Sequence, residues 1–296
     1  MVDMHIHTLY SDGDETLEEV LKICEEKKLE CISITDHNNC RQYEDDSWNK
    51  NIFTGRVVKG AEMNATLDNG KRIEFLAYNI KDENIINEWS DKFYSKEILK
   101  ARFEKDKNKI LDICNENKLV YDIDNIKKDI PYTDFYVVYM YYELIKYPEN
   151  IEKMGECAKS FNDFRRLGLS NPNSIFYMGE DNSKKPMFRD VANKIHEAGG
   201  LVFLAHPFEY KFEDTIGFID ELRKDIKLDG IECFHPSAET DNRINILLDY
   251  AKKNNLFISG GSDFHGDKKP NNDIGIGSGT LYISKIYIDE WAEYIE

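Results

Sequence analysis

The sequence predicts an α/β protein with a parallel sheet, closed or open, and a largely helical insertion. Strand-like and helix-like segments alternate through the first third of the chain and again through the last third. Repeated β-α order builds a parallel sheet with helical crossovers. Between about Ser95 and Asn182 the alternation stops, and the composition turns rich in Lys, Asn, Asp and Tyr. A chain of 296 residues can bury a sizeable core as one large α/β domain or two small ones.

The elements follow in order. Val2 to Ile6 is a short apolar run, read as the first strand. Thr16 followed by Glu19 is a capping box, and Leu17, Val20, Leu21 and Cys24 form the buried stripe of a helix. Cys31-Ile32-Ser33-Ile34 reads as a strand, as do Arg56-Val57-Val58, closed by Gly60-Ala61-Glu62, and Ile73 to Tyr78. The insertion offers a long helix from Lys96 to Asn117, an aromatic run from Tyr132 to Tyr147, and an exit near Asn171-Pro172-Asn173. Val191, Ala192 and Ile195 mark a helix that stops at Gly199-Gly200. Leu201 to Ala205, Gly230 to Phe234 and Leu256 to Ser259 are buried strands, with a helix stripe at Ile244, Leu247, Leu248 and Ala251.

The formal net charge is −17, which argues against tracking long nucleic acid, since that needs a basic groove. No run of about 18 apolar residues suggests a membrane span. The N-terminal residues lack the basic start and apolar core of a signal peptide. The six cysteines are scattered without a C-x-x-C pair, so free thiols and a reducing, cytoplasmic setting are expected.

The chemistry concentrates in histidine. His5, His37, His206, His235 and His265 each lie at or just beyond the C-terminal end of a predicted strand, and His7 adjoins His5. In parallel α/β barrels that end carries the active site. His196 is the exception, placed mid-helix and read as packing. His5-Ile6-His7 puts two imidazoles on one face of a strand, where both can meet one ion. Asp12, Glu62 and Asp263 supply carboxylates nearby in the same motifs. Mixed imidazole and carboxylate donors suit Zn, Mn or Fe, and their number exceeds the needs of one ion, so two or three divalent ions are expected.

Taken together, Asp3 to Thr8, Ser11-Asp12-Gly13, Ile34 to Asn38, Gly60-Ala61-Glu62, Gly199 to Pro207 and Gly261 to Gly266 resemble the motifs of the polymerase and histidinol phosphatase (PHP) superfamily of metal-dependent phosphoesterases. The resemblance spans about residues 1–80 and 185–285. It implies a distorted (β/α)7, TIM-like barrel over residues 1–94 and 183–296, with residues 95–182 as an insertion capping the barrel mouth. It implies a trinuclear centre: His5, His7, Glu62 and Asp263 on one ion, Glu62 and His206 on a second, and Asp12, His37 and His265 on the third. Where family members usually carry a histidine on the strand after the glutamate, this chain has Glu74. A glutamate there remains a ligand of harder character, favouring Mn or Fe over Zn.

The expected activity is hydrolysis of a small phosphomonoester, histidinol phosphate or nucleotide-like, by metal-activated hydroxide. Asp263 is the expected proton acceptor, and His265 or His235 the donor to the leaving oxygen. Asn38, His235, Arg165, Arg166 and Arg189 are the candidate substrate contacts, with Arg102 a further cation in the insertion. Asp3 and Asp36 are read as carboxylates that orient ligand rings. The alternatives are an exonuclease or phosphodiesterase on short oligonucleotides, an amidohydrolase-like deaminase or lactonase, and a non-enzymatic metal-binding interaction module.

Overall fold

The computed structural model describes residues 1–128, 130–131, 135–179 and 184–295. Tyr132, the start of the expected aromatic run, and the expected boundary at 182/183 lie outside the described residues. The chain divides into two compact units: Met1–Asp91 together with Lys185–Glu296, and Lys92–Lys184.

In the first unit, strands β1 (Val2–Ile6), β2 (Cys31–Ile34) and β3 (Arg56–Val57) form a parallel three-stranded sheet. Strands β4 (Gly60–Thr66), β5 (Arg72–Tyr78), β6 (Leu201–Leu204), β7 (Gly230–Phe234) and β8 (Phe257–Gly260) form a second sheet in that order. Single bridges link the sheets on both sides, His37 to Glu62 and Ile6 to Phe264. Thr16 caps the helix Leu17–Glu26 through the expected capping box, and Leu17, Val20, Leu21 and Cys24 are its buried face. All residues of β1, β2 and β7 are buried, as strands covered on both faces must be.

The sheet departs from the parallel expectation at β5, which is antiparallel to both β4 and β6. The cause is local. β4 and β5 are joined by a tight turn in which Gly70 takes a positive φ and donates to the Leu67 carbonyl, leaving no room for a crossover helix. Glu62 also does not close a strand, because β4 runs on past it to Thr66.

The reversal decides where side chains emerge. Parallel strands present residues at their carboxyl ends, whereas an antiparallel neighbour presents its amino half on the same side. Glu74, third residue of β5, thus reaches the side that β1, β2 and β6 reach with their ends. Glu62 pairs with Leu76 and Asn64 with Glu74, so Glu62 and Glu74 share one face.

The second unit is helical among the described residues, with helices Lys96–Glu116, Tyr136–Leu144 and Pro148–Met154. Its own core is built from Ile110, Ile113, Met140, Tyr141, Leu144, Phe164 and Phe176. No described helix is long and apolar enough to cross a membrane. All six cysteines are free and buried.

Candidate metal centre

Glu62 is the hub of the site. Its Oε2 lies 3.2 Å from His5 Nε2, 3.2 Å from His7 Nε2 and 3.3 Å from His37 Nδ1. Its Oε1 lies 2.8 Å from His206 Nε2, and Glu74 Oε2 is 3.3 Å from that same nitrogen. Asp263 Oδ1 sits 3.5 Å from both His5 Nε2 and His7 Nε2. On the other side, Asp12 faces His265 Nε2 at 3.2 Å, His7 Nδ1 at 3.5 Å and His37 Nε2 at 3.7 Å.

Donors held about 2.0–2.2 Å from a common ion sit about 3–3.6 Å from one another. Apart from Glu62–His206 at 2.8 Å and Asp12–His37 at 3.7 Å, the separations above have that spacing. Among the groups whose donor atoms lie mutually within 4.8 Å are His5, His7, Glu62 and Asp263; His7, Asp12, His37 and His265; and His37, Glu62 and Glu74. The nitrogen and oxygen donor set fits a divalent transition ion. His37 Nδ1, a buried nitrogen without a hydrogen bond, is one of the atoms facing Glu62.

Backbone geometry aims these groups. Gly261 lets the chain leaving β8 pass against β1, since a Cβ there would stand 2.3 Å from that of His5. His206 and Asp263 both take positive φ, +24° and +54°, conformations that L residues hold only where the surroundings enforce them. Asp3 and Asp36 are fully buried but do not orient rings. Asp3 accepts from the backbone N–H groups of Ser262, His5 and Gly275 at 2.9, 3.2 and 2.7 Å, tying β1 to the Asp263 loop. Asp36 accepts from Thr8 N–H at 2.8 Å and from the Thr8 and Ser11 hydroxyls at 2.7 and 2.6 Å, holding the turn that carries Asp12.

Charge is strongly redistributed. Burial opposes a cationic His7, yet hydrogen bonds to Asp263 and Glu62 push it up to about 9. His206 rises to about 10 for the same reason, against its burial and through Glu62. Burial dominates at His37, which falls to about 4. Burial and the neighbouring Glu62 charge raise Glu74 to about 7. Burial would raise Glu62 and Asp263, but the surrounding imidazoles hold both well below the usual carboxylate range.

Hydrogen-bond partners separate the histidines into two kinds. His265 Nδ1 lies 2.9 Å from the Asp263 carbonyl, so it donates there and leaves a lone pair on Nε2 toward Asp12. His235 is the reverse. The Ser237 backbone N–H donates to its Nδ1 at 3.0 Å, so its proton sits on Nε2, which points at Asp263 Oδ2 from 3.4 Å. His265 is thus built as a ligand and His235 as a hydrogen-bond donor.

The other expected substrate contacts are engaged by groups of their own unit. Asn38 uses its side chain to accept from Asn64 N–H at 2.9 Å. Arg189 is engaged on the surface by Asp68 and Asp225, 2.9 and 2.8 Å away, because those carboxylates flank its helix and the cluster does not. Arg165 and Arg166 are exposed in the helical unit and reach Asn162 and Asp163. His196 pairs with Asp229 at 2.6 Å, outside the cluster.

Two groups at the site escape the sequence reading. Lys269 donates to Asp263 Oδ2, placing an ammonium beside the cluster. Glu232 is fully buried in β7 and lies against His5. Its signal is a lone carboxylate inside the apolar run Gly230 to Phe234.

The PHP domain profile matches residues 3–258. The chain belongs to the PHP domain family. A phosphoribosyl 1,2-cyclic phosphate 1,2-diphosphodiesterase from Eggerthella lenta is 22% identical to this PHP protein over 89% of the chain and 94% of the relative. Two solved structures share the fold. One, from Bifidobacterium adolescentis, is provisionally described as a metal-dependent phosphoesterase (TM-score 0.64, 20% identity, 98% of this chain and 94% of that one). The other is an amidohydrolase from Chromobacterium violaceum with bound sulfate and no metal (TM-score 0.63, 19% identity, 93% and 89%). The family is one of metal-dependent phosphoesterases, in keeping with the His, Asp and Glu cluster described above.

Proposed function

We propose that this PHP protein hydrolyses a small phosphomonoester at a centre of two or three divalent ions, Mn, Fe or Zn. The observation that carries the reading is Glu62, a buried carboxylate faced at 2.8–3.3 Å by nitrogens of His5, His7, His37 and His206. His5, His7, Asp12, His37, Glu62, Glu74, His206, Asp263 and His265 would hold the ions. Ions bound there would supply a hydroxide nucleophile near neutral pH and neutralise phosphoryl oxygens.

The remaining steps fall to the chain's own groups. Lys269 and the Nε2–H of His235 both lie against Asp263 Oδ2, where they can receive phosphoryl oxygens and orient the ester. Asp263 Oδ1 faces the ligand cluster, and Oδ2 would take the proton of the attacking water once Lys269 turns from it to the phosphoryl group. His265, with Nε2 on Asp12, fits ligation better than protonation of a leaving group. We read the two bridged sheets as the distorted (β/α)7 barrel that would present such a centre at one end.

The Eggerthella lenta relative favours a second reading, a cyclic phosphodiester of a phosphorylated sugar. The net charge of −17 weighs against long nucleic acid in either case. A substrate panel on protein purified without chelator tests both readings. It would contain p-nitrophenyl phosphate, histidinol phosphate, mononucleotides, nucleoside bisphosphates, a cyclic ribose phosphate and short oligonucleotides. Phosphate release from a monoester supports the first reading. Ring opening without monoester turnover supports the second. A metal-loaded protein inert on all of them would overturn both.

A further inference from the structure

Glu232 spans the two sides of Glu62 from behind. Its Oε1 lies 2.8 Å from His5 Nδ1, and its Oε2 accepts the backbone N–H of His206 at 2.7 Å. The first contact leaves His5 Nε2 facing Glu62 Oε2, and the second holds the strained residue whose Nε2 faces Glu62 Oε1. Both partners of Glu232 are N–H donors, and an ionised carboxylate is the side chain that accepts twice. Glu232 also lies near His235 in a group with the spacing of ion ligands. Both of its oxygens are already engaged, which argues against a further ion there.

We propose that Glu232 is a positioning residue that sets two ligands at once, the ring of His5 and the backbone of His206, so that imidazole nitrogens face both oxygens of Glu62. The inference rests on the metal-centre reading above and adds a residue outside the ligand set. Glutamine is the sharp test, because it matches the shape of glutamate but carries one acceptor and one donor. With its oxygen on His206 N–H, its amide would force His5 Nδ1 to accept, leaving the proton on Nε2 and closing that nitrogen to a metal. Turned over, the amide would meet the His206 N–H, donor against donor. Aspartate keeps two acceptors but is one methylene shorter.

Metal content per chain and Mn or Zn affinity would be measured for wild type, Glu232→Gln and Glu232→Asp, with far-UV circular dichroism to establish folding. Glu232→Gln should lose about one equivalent or weaken it about 10–100-fold, and Glu232→Asp should recover part of the loss. Wild-type stoichiometry and affinity in folded Glu232→Gln overturn the inference. A nitrogen-15 histidine spectrum of the wild-type protein, with His5 assigned by His5→Asn, tests the same geometry even if the glutamine variant does not fold. A slowly exchanging proton on His5 Nδ1 supports the inference, and a bare Nδ1 overturns it. Failure of the wild-type protein to take up any metal would instead count against the metal-centre reading, leaving the ring spectrum to judge the hydrogen bond.

Discussion

The sheet-bearing unit and the helical unit both bury polar side chains, but they satisfy them differently. In the helical unit, Glu143 receives Asp122 N–H, the Asn125 amide, Lys146 and the Tyr147 hydroxyl. Asn150 accepts from Val120 N–H and donates to the Val120 and Leu144 carbonyls. Among the described residues, no side-chain atom of this unit is buried without a partner. The sheet-bearing unit instead gathers imidazoles and carboxylates onto one another, and His37 Nδ1, His206 Nδ1 and His235 Nε2 each face a carboxylate without forming a well-aligned hydrogen bond. A buried polar group with a full set of protein partners is architectural. One whose partners are other acceptors and titratable rings is shaped for something the chain does not itself supply.

That contrast can be broken or sharpened by substitution. The largest effect is expected at Glu62, which four imidazoles share. Glu62→Gln should release at least one metal equivalent per chain and lower kcat/KM by about a hundredfold or more, with circular dichroism unchanged. Full metal retention would remove the distinction between the two units. Glu74 comes next. Glu74→His should keep the metal number but shift preference from Mn toward Zn by about tenfold in a competition titration. An unchanged ratio would mean that residue 74 touches no ion.

Glu143 probes the other side of the comparison. Burial works against its charge, but Lys146, the Asp122 N–H and Tyr147 lower it to about 2. A carboxylate depressed on folding contributes stability above its unfolded value near 4.5, and that contribution is lost as pH falls from there toward 2. Calorimetric melts of wild type between pH 6 and 3 should show an acid-sensitive loss that Glu143→Gln flattens, with metal content unaltered. Parallel acid slopes in both proteins would contradict this. The smallest effect is expected at Arg189, whose partners are exposed: Arg189→Ala should leave kcat/KM within about twofold. A large rise in KM would support it as a substrate contact.

Much of this site is legible in sequence because its residues fall where strands end. His5, His7, His37, His206, His235 and His265 could be read from that position alone. Glu74 was legible only through the family resemblance, since its place on the site face depends on the reversal of β5. The turn Asp68-Asn69-Gly70 was the available hairpin signal. Glu232 and Lys269 were hidden for opposite reasons. A single carboxylate in an apolar strand reveals its worth only when its partners, 26 and 227 residues away, are known. A lysine in a charged loop looks like any solvated lysine until the loop folds onto Asp263. Asp3 and Asp36 were noticed for their neighbours, but it is backbone N–H groups and hydroxyls that they hold, contacts that spacing does not encode.

The contact between Glu62 and His206 joins points 144 residues apart, and the helical unit lies in the chain between them. In polymer terms, the site is a clasp on a long loop, and an ion held by both residues would work as a removable cross-link. The entropy of closing such a loop grows only with the logarithm of its length, about 0.6 kcal/mol for each doubling. A clasp of this kind tolerates additions to the intervening chain at small cost. Residues 92–184 could therefore lengthen, shorten or diverge while the ligands on either side keep their partners.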